Sequence, residues 1–590
     1  MKNQSITFKT IFTLVLSKKP LLIWGQIVTL LAIAVSIPIP LMLPIMVDEV
    51  LLHKPAFVVN TIDTYLGTGD AFYYISIAAA VVIFLRIFHF LLNAVITKIF
   101  TYIAKYVTFE IRKRLLTHLQ KVCMNEYETL GSGAISANLI TDVNTLDNFI
   151  ITSASKFISS ILTLIAISVV IILIHPLLGI MMIVIQPLIV FLSKRIANHT
   201  GQLKKDENQS IETFQENLGE TLELFGQIKA SNKEEYFFKD SIAKAHNIQK
   251  TSNEYSYKSV AYERFSFTIF LVAFEILRAT GLLMVAYSDL SVGMMFAMFG
   301  YIWFMMTPVQ NILSMQYTYA SAKSSLKRIN KLLDLKIEKA GTLSLDASEK
   351  LNISLKNVNF SYNDDKTILN DISFEIKSQQ HIALIGASGS GKTTLAQIIS
   401  GFYEKNMGDI FYNDIPTEKL DKTSLRNNIF LVLQMPILFN NTLRFNITMG
   451  NENISDEEIF HALEIAQFKN TVLDMNNGLD TIVGRHGIRL SGGQRQRISI
   501  ARMIIANPKV VIFDESTSAL DVHTETKLFK ALEPILKEKT LITIAHRLST
   551  VKNADMIYVL DGGKIVEQGS HDELETQDGH YNQFIKNQLI

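Results

Sequence analysis

The sequence has almost no cysteine and no excess of either charge. Its single cysteine, Cys123, excludes a disulfide within the chain and has no companion thiols for a metal site, so we interpret it as structural. Lys and Arg number 56 against 55 Asp and Glu, which gives a formal net charge of +1. This balance provides no general surface for polyanions, and nucleic acid is therefore not an expected partner.

Apolar residues, by contrast, are abundant. They make up 48% of the 590 residues, the mean hydropathy is +0.23, and they concentrate in the first half of the chain. A chain of this length exceeds what a single core normally organises. The composition therefore predicts a membrane portion joined to a soluble portion.

Six apolar runs in the first half are long enough to cross a bilayer as helices. They lie near residues 21–47, 72–97, 156–174, 177–193, 265–287 and 291–312. The first run follows Lys18 and Lys19 as the core of a signal peptide would, but it continues well past the small residues of the cleavage-like stretch 32–34. We therefore expect it to be retained as a membrane span.

Basic residues predict the orientation of these spans. Lys2, Lys9, Lys18 and Lys19 precede the first span, and the long polar segments 98–155 and 194–264 are rich in Lys and Arg. We expect a multi-pass protein of the cell's inner (plasma) membrane with both termini in the cytoplasm.

The two long polar segments have helical patterns. We expect each to extend its membrane helices into the cytoplasm, with tips near residues 127–142 and 225–239 that could meet a soluble domain. Solvated loops are the alternative.

The second half contains a phosphate-binding loop. A buried strand is predicted at 381–385, and it leads into the sequence Gly386-Ala387-Ser388-Gly389-Ser390-Gly391-Lys392-Thr393. Its glycines let backbone N–H groups approach phosphates at the start of a helix, where anions are favoured. Lys392 would neutralise phosphate charge, and Thr393 would hold Mg²⁺.

An acidic pair and a five-residue signature follow the phosphate-binding loop. Asp514 and Glu515 come directly after the apolar strand predicted at 510–513, at the end of the strand where open α/β sheets place ligands. The signature, Leu490-Ser491-Gly492-Gly493-Gln494, lies between the loop and this pair and begins a predicted helix.

This order of motifs resembles the ATP-binding cassette (ABC) transporter family, in particular exporter-type half-transporters similar to bacterial lipid flippases and multidrug exporters. The resemblance implies a multidomain fold, in which an all-α six-span transmembrane domain with long intracellular helices precedes an α/β P-loop ATP-binding cassette domain. We place the transmembrane domain at residues 1–335, a linker at 336–350 and the cassette at 351–590.

The resemblance also implies roles for individual residues. Glu515 matches the catalytic base, His546 the switch histidine and Gln434 the Q-loop. Asp514 joins Thr393 and Gln434 as Mg²⁺ ligands. The implied ATP-binding set is Tyr362, Gly386, Ser388, Gly389, Ser390, Gly391, Lys392, Thr393, Thr394, Ser491, Gly492, Gly493 and Gln494. Tyr362 would stack on adenine, although surface packing is its alternative interpretation.

A dimer follows from the same resemblance, because the family's signature faces the P-loop of another subunit. We favour a homodimer over a heterodimer, since the motifs of the site are all intact. Residues 518–521 of this sequence match the family's D-loop, which crosses the dimer interface. Arg485 departs from the usual glutamate, which places the coupling contacts of its loop in question.

The expected substrates are lipophilic or amphipathic drugs or lipids, moved by alternating access, and membrane lipids are expected partners. A dedicated exporter of a peptide, glycolipid or metal conjugate is the alternative, while an ATP-gated channel shares the architecture. A soluble ABC ATPase acting on DNA would not explain the spans. The membrane-level charges Arg86, His89, Glu275 and Arg278 either line the substrate cavity or tie the helices together.

Overall fold

The computed structural model describes residues 5–54, 57–339, 341–346, 350–362, 366–484, 490–516, 519–545 and 551–589. Contacts divide the chain into two compact units. The first comprises Met1–Gln120 and Ser132–Asp334, and the second comprises Lys121–Gly131 and Leu335–Ile590. The predicted domain limits at 335 and 351 stay predictions.

The first unit is helical. Its helices are α1 (Phe8–Leu16), α2 (Lys19–Ser36), α3 (Pro38–Pro44), α4 (Phe57–Leu66), α5 (Ala71–Leu119), α6 (Met124–Ala137), α7 (Val143–Ile151), α8 (Ile158–Ile174), α9 (Pro176–Glu223), α10 (Phe225–Ala230), α11 (Glu234–Tyr287), α12 (Val292–Phe304) and α13 (Met306–Leu333). Short π-helical turns continue three of them, at Ile45–Leu51, Asn138–Asp142 and Thr152–Phe157. Gly131 has φ 75°, which breaks α6 where the two units divide.

Five helical stretches in the described part of the chain are long and apolar enough to cross a membrane. They are Lys19–Leu51, Ala71–Leu119, Met124–Ile174, Glu234–Tyr287 and Val292–Ile312, and they contain five of the six predicted spans. The remaining prediction, 177–193, falls in α9, whose described apolar portion is Pro176–Ile185. The sixth span therefore stays a prediction.

Helices α5, α9 and α11 are far longer than a bilayer requires. They contain 49, 48 and 54 residues, which corresponds to roughly 70 to 80 Å each at the rise of an α-helix. Short helices lie at both predicted tips, the first part of α6 and α10. The long polar segments are therefore helical extensions of the membrane helices rather than irregular loops.

The first membrane-length stretch is fastened to α12 by side chains. Tyr301 Oη donates to the Ile37 carbonyl at 2.5 Å, and the buried Asp48 carboxylate accepts from Ser291 Oγ at 2.5 Å and from the Gly293 N–H at 2.9 Å. A Cβ on Gly293 would lie 2.4 Å from Asp48 Oδ2. This close approach requires glycine at the start of α12.

The second unit contains two sheets. Its strands are β1 (Ile353–Phe360), β2 (Leu369–Ile376), β3 (His381–Gly386), β4 (Met407–Tyr412), β5 (Ile415–Pro416), β6 (Ile429–Val432), β7 (Val510–Asp514), β8 (Thr540–Ile544), β9 (Met556–Asp561) and β10 (Lys564–Gly569). One sheet has the order β2-β1-β4-β5 and is antiparallel, and the other has the order β10-β9-β3-β8-β7-β6.

Helices of the second unit follow and connect these strands. They are α14 (Lys392–Ile399), α15 (Lys422–Asn428), α16 (Leu443–Thr448), α17 (Asp456–Ile465), α18 (Lys469–Leu473), α19 (Gly492–Ala506) and α20 (Val522–Leu536), with two more at His571–Glu575 and His580–Leu589. Short 3₁₀ turns lie at Thr417–Lys419 and Gly478–Asp480.

The six-stranded sheet brings the carboxyl ends of β3 and β7 to one edge. Both strands are parallel to β8, which lies between them: Leu384 of β3 and Asp514 of β7 each pair with Ile544. All five residues of β7 are buried, as their apolar run predicts for a strand covered on both faces. The phosphate-binding loop and the acidic pair therefore emerge side by side.

The linker is hydrogen-bonded to residues 121–123 within the second unit. Cys123 N–H donates to the Lys336 carbonyl at 2.9 Å and Glu338 N–H donates to the Lys121 carbonyl at 2.7 Å, around an antiparallel bridge between Val122 and Ile337. Met124 packs against the core of the unit. Residues 121–131 thus belong structurally with the cassette, although they lie in the first half of the sequence.

A half-buried histidine at the start of β3 should make the second unit sensitive to acid. His381 lies against the Asn553 carbonyl and Thr543 Oγ1, each at 3.2 Å, and burial lowers its pKa below the usual 6.5. The unfolded chain then binds a proton near pH 6.5 that the folded chain does not. We expect the free energy of unfolding to fall as the pH drops below about 6.5.

Chemical denaturation between pH 5 and 8 measures this effect. The dependence of the free energy of unfolding on pH should be weaker in His381→Gln than in the wild type. His580→Gln, at an exposed position, serves as the control. An equal slope in wild type and His381→Gln would contradict the assignment.

Candidate nucleotide-binding site

The loop between β3 and α14 has a backbone that only glycine readily adopts. Gly386, Gly389 and Gly391 have φ of 146°, 81° and 100°. A Cβ on Gly386 would lie 2.0 Å from the Leu560 carbonyl oxygen of neighbouring β9. These conformations turn the loop, which includes the exposed Ser388, into the N-terminus of α14, where unpaired N–H groups favour an anion.

Lys392 is the first residue of α14 and is only 6% exposed. Its ammonium donates to the carbonyls of Gly386 and Ala387, each at 2.9 Å. Burial lowers the pKa of this ammonium, against the opposing charges of Glu515 and Asp514. A phosphate anion at the loop would stabilise the charged form.

Two further groups fit a nucleotide phosphate with its metal ion. Ser390 Oγ is buried and has no hydrogen-bond partner among the described residues, so a polar group of a ligand would satisfy it. Thr393 Oγ1 donates to Asp514 Oδ1 at 3.1 Å, which places two oxygen ligands together. Hydroxyl and carboxylate oxygens are the donors that Mg²⁺ prefers.

The predicted catalytic carboxylate adjoins the hydrogen-bonded pair of Thr393 and Asp514. Glu515 directly follows β7 and has φ 45°, a left-handed conformation that is uncommon outside glycine and often marks functional sites. Its Oε2 accepts from Gln434 Nε2 at 2.7 Å. The structure therefore brings together four predicted residues that are distant in sequence: Thr393, Gln434, Asp514 and Glu515.

The signature forms a well-capped helix start. Ser491 is the N-cap of α19: its Oγ accepts from the Gln494 N–H at 3.3 Å, and Gln494 Oε1 accepts from the Ser491 N–H at 2.9 Å. A Cβ on Gly493 would lie 3.0 Å from the Ala519 carbonyl, and one on Gly492 would lie 3.2 Å from Ala519 Cβ. Both glycines thus permit close packing against the segment after the acidic pair.

The signature and the P-loop remain separate within one chain. Among the residues that the structure describes, no hydrogen bond joins Ser491–Gln494 to 386–394. The predicted switch histidine His546, Arg485 and Ser518 lie outside the described residues.

Gln496 connects three motifs and was missed by the sequence analysis. It is 2% exposed on α19, its Nε2 donates to the Gln434 carbonyl at 3.2 Å, and its Oε1 accepts from the Ala519 N–H at 3.2 Å. The signature helix is thereby tied to the Q-loop and to the segment after the acidic pair. The one signal in the sequence was a polar residue at a position of α19 that faces the core.

Tyr362 belongs to an aromatic cluster beside α14. Its ring meets those of Phe360 and Tyr403 edge-on, with centroids 4.9 and 5.3 Å apart, and its hydroxyl lies 3.0 Å from Thr394 Oγ1. The side chain is 39% exposed. This partial exposure leaves a surface for a flat ring, and adenine stacking stays a prediction.

Tyr403 joins this cluster to residues 121–131 of the second unit. Its hydroxyl donates to Glu128 Oε2 at 2.7 Å, and burial together with this carboxylate raises the pKa of the hydroxyl, which keeps it protonated as a donor. Sequence analysis did not identify Tyr403, because its partner lies in the other half of the chain.

We expect Tyr403→Phe to lower the free energy of unfolding of the second unit by about 1 kcal/mol, the usual contribution of one hydrogen bond. ATP affinity should be unchanged, because the ring stays. Denaturation of Tyr403→Phe, Glu128→Gln and the double variant measures the coupling. Strictly additive losses would contradict a direct interaction.

Taken together, a P-loop with a converging acidic pair on an α/β sheet, in one chain with membrane-length helices, defines a membrane transport ATPase. The family model of the ABC transporter transmembrane region matches residues 29–309, and the family model of the ABC transporter matches residues 369–518. The chain belongs to the ABC transporter family, as a half-transporter that fuses one membrane domain to one ATPase domain and couples ATP hydrolysis to transport.

Its relatives include a lipid A-core flippase. It is 32% identical over 494 residues to the ATP-dependent lipid A-core flippase of Legionella pneumophila (strain Paris), covering 82% of this chain and 83% of that protein. A Bacillus subtilis (strain 168) protein whose name proposes a multidrug export ATP-binding/permease function is 29% identical over 488 residues, covering 81% and 83%. The chain is thus an ABC exporter homologous to these proteins.

A solved structure shares the fold. The structure of a bacterial Atm1-family ABC exporter with ATP bound superposes with a TM-score of 0.85 at 24% identity, covering 97% of this chain and 98% of that chain. The predicted fold class, a helical transmembrane domain followed by an α/β ATPase domain, is confirmed.

Proposed function

We propose that the chain forms a homodimer that exports lipophilic or amphipathic molecules, drugs or lipids, across the cell's inner membrane by alternating access. Its termini would lie in the cytoplasm. The observation that carries the substrate class is the similarity to a lipid A-core flippase and to a protein named for multidrug export. A small cavity of about 20 Å³ in the membrane unit agrees with it in chemistry, since its lining is entirely apolar: Met182, Ile185, Phe270, Ala273, Phe274, Leu277, Ile302, Met305 and Val309.

The lining of this cavity is adaptable as well as apolar. Methionine side chains are flexible and polarisable, and aromatic rings offer large flat surfaces, so such walls repack around ligands of different shape. Phe274 also contacts Phe299 and Trp303 of α12, with ring centroids 6.0 and 6.5 Å apart. These contacts favour lipophilic cargo over a small polar solute.

The membrane-level charges support the same substrate class. Glu275 and Arg278 form an ion pair with each other at 2.5 Å, and His89 Nδ1 donates to the Ala32 carbonyl of α2 at 3.0 Å. Three of the four charges thus make structural contacts, while Arg86 is exposed. A strongly charged cargo would need groups that are not already engaged with the protein.

In the ATPase step, Glu515 would orient or deprotonate the attacking water, and Gln434 would hold Glu515 in place. Lys392 and the N-terminus of α14 would bind the phosphates. Thr393 and Asp514, with Gln434, would hold Mg²⁺, which supplies charge neutralisation on the phosphates when bound. The signature of the second copy would complete the site across the dimer.

Complementation between two inactive copies tests the homodimer. A Lys392→Met copy keeps its signature, and a Ser491→Arg copy keeps its P-loop, so a mixed dimer contains one intact composite site. We expect the co-expressed pair, purified through two different tags, to hydrolyse ATP faster than either variant alone. Failure of the two tagged copies to co-purify would contradict the dimer.

Transport assays test the substrate class. In reconstituted vesicles, lipids or lipophilic drugs should stimulate ATP hydrolysis severalfold, and the same compounds should accumulate in inverted vesicles only with ATP. Vesicles containing Glu515→Gln are the control. If no lipid or lipophilic compound stimulates hydrolysis, the dedicated exporter of a peptide, glycolipid or metal conjugate replaces this proposal.

A further inference from the structure

A second, larger cavity lies within the cassette unit. It has a volume of about 350 Å³ and is bordered by Cys123 and Asn125 of the segment 121–131, the linker segment 336–339, the segment 401–406 and Lys422. No residue of the P-loop lines it, although Tyr362 forms part of one wall. Its volume is within the range of small-molecule sites.

Lys422 is the unusual residue of this cavity. It is 9% exposed at the first position of α15, and no hydrogen bond or ion pair links its ammonium to any residue described in the structure. The side chain is mostly buried, but its ammonium is open to the cavity and has donors free to pair with an anion there. Such a group lining an open cavity points to an anionic ligand.

The two glutamates of the lining already have partners. Glu338 pairs with Arg426, and Glu404 Oε1 accepts from the Lys339 N–H at 2.9 Å. Burial lowers the pKa of Lys422, whereas the charges of Glu404 and Glu338 raise it. These carboxylates therefore help to keep Lys422 charged without occupying its hydrogen-bond donors.

The remaining lining favours an organic anion. Its four lysines are Lys336, Lys339, Lys405 and Lys422. Lys405 is ion-paired with Glu418 at 2.5 Å and Lys336 lies 4.0 Å from Glu404, so Lys339 and Lys422 are the two whose ammonium groups have no ion-pair partner among the described residues. Four aromatic side chains supply flat walls: Phe360, Tyr362, Phe402 and Tyr403. The Cys123 thiol adds no negative charge, because burial raises its pKa to about 11.

We propose that this cavity binds a phosphorylated organic anion of nucleoside monophosphate size, with the Lys422 ammonium paired to its phosphate and its organic part against the aromatic wall. The site contains no residue of the P-loop and does not depend on the transported substrate, but it shares Tyr362 with the predicted adenine-stacking surface. Its ligand would contact the segment 121–131, the linker and the cassette core together, so binding would stiffen their junction.

Calorimetric titration of the full-length protein with AMP and with inorganic phosphate tests the site. Lys392→Met removes the P-loop lysine and should leave AMP binding at the cavity intact, whereas Lys422→Met should weaken it at least tenfold. Inorganic phosphate should bind more weakly than AMP and compete with it. Loss of AMP binding in Lys392→Met, with retention in Lys422→Met, would place the anion at the P-loop and overturn the proposal.

Two further variants keep the test decisive if Lys422→Met does not fold. Lys422→Arg preserves the charge and should retain AMP binding, and Lys339→Gln, at an exposed rim position, should weaken it severalfold. Unchanged AMP binding in Lys339→Gln together with loss in Lys422→Arg would indicate a packing role only. Absence of AMP and phosphate binding up to millimolar concentration overturns the proposal, and equal affinity for both overturns its organic part.

Discussion

Glu515→Gln should reduce steady-state ATP hydrolysis by about 10² or more, the usual contribution of a positioned base. The substitution preserves the shape of the side chain and removes its ability to accept a proton from water. ATP binding should persist, since Lys392, Thr393 and the P-loop backbone are unchanged. Steady-state hydrolysis and nucleotide binding by the purified full-length protein measure the two effects separately.

Glu533→Gln is the matched control for this substitution. Glu533 is an exposed residue of α20 that forms an ion pair with Lys537 at 2.9 Å, remote from the motifs of the site. The Glu533→Gln protein should hydrolyse ATP at the wild-type rate. Equal turnover in Glu515→Gln and Glu533→Gln would refute the assignment of Glu515 as the base.

Lys392→Met should weaken ATP binding by roughly 30- to 150-fold, equivalent to about 2 to 3 kcal/mol for a lost hydrogen bond to a charged group. Methionine fills a similar volume but leaves the carbonyls of Gly386 and Ala387 and the ligand phosphates without the ammonium. Equilibrium binding of a fluorescent ATP analogue measures the affinity.

Another partly buried lysine supplies the comparison. Lys539 donates to Asn507 Oδ1 and to the Pro508 carbonyl, each at 2.6 Å, and burial lowers its pKa as it does for Lys392. Lys539→Met should reduce stability but leave the affinity of the folded protein for ATP unchanged. A similar loss of affinity in both variants would mean that Lys392 acts through folding alone.

The parts of the structure that sequence could predict are those fixed by local pattern. Apolar length located five membrane-length helices, and the apolar runs of the second half located β3 and β7. The sequence predicted that the P-loop and the acidic pair each follow a strand, whereas the adjacency of these strands on either side of β8 is known only from the structure. The clustering of Thr393, Asp514, Glu515 and Gln434 depends on that adjacency.

What sequence could not predict depends on contacts between distant segments. The Tyr403 hydroxyl donates to Glu128, and Gln496 forms hydrogen bonds with both Gln434 and Ala519. These contacts arise from tertiary packing, which the periodicity of a sequence does not encode. Lys422 is indistinguishable by residue type from a solvated lysine, and only the surrounding fold buries it.

The bridge between Val122 and Ile337 has a consequence for dissecting the protein. A fragment beginning near residue 335 would retain every ATPase motif and yet lose a strand partner of its own first residues. It would also leave bare the core surface under Met124 and the hydroxyl of Tyr403. The isolated cassette is therefore incomplete as a folding unit, and a stable version would need residues 121–131 fused back onto it.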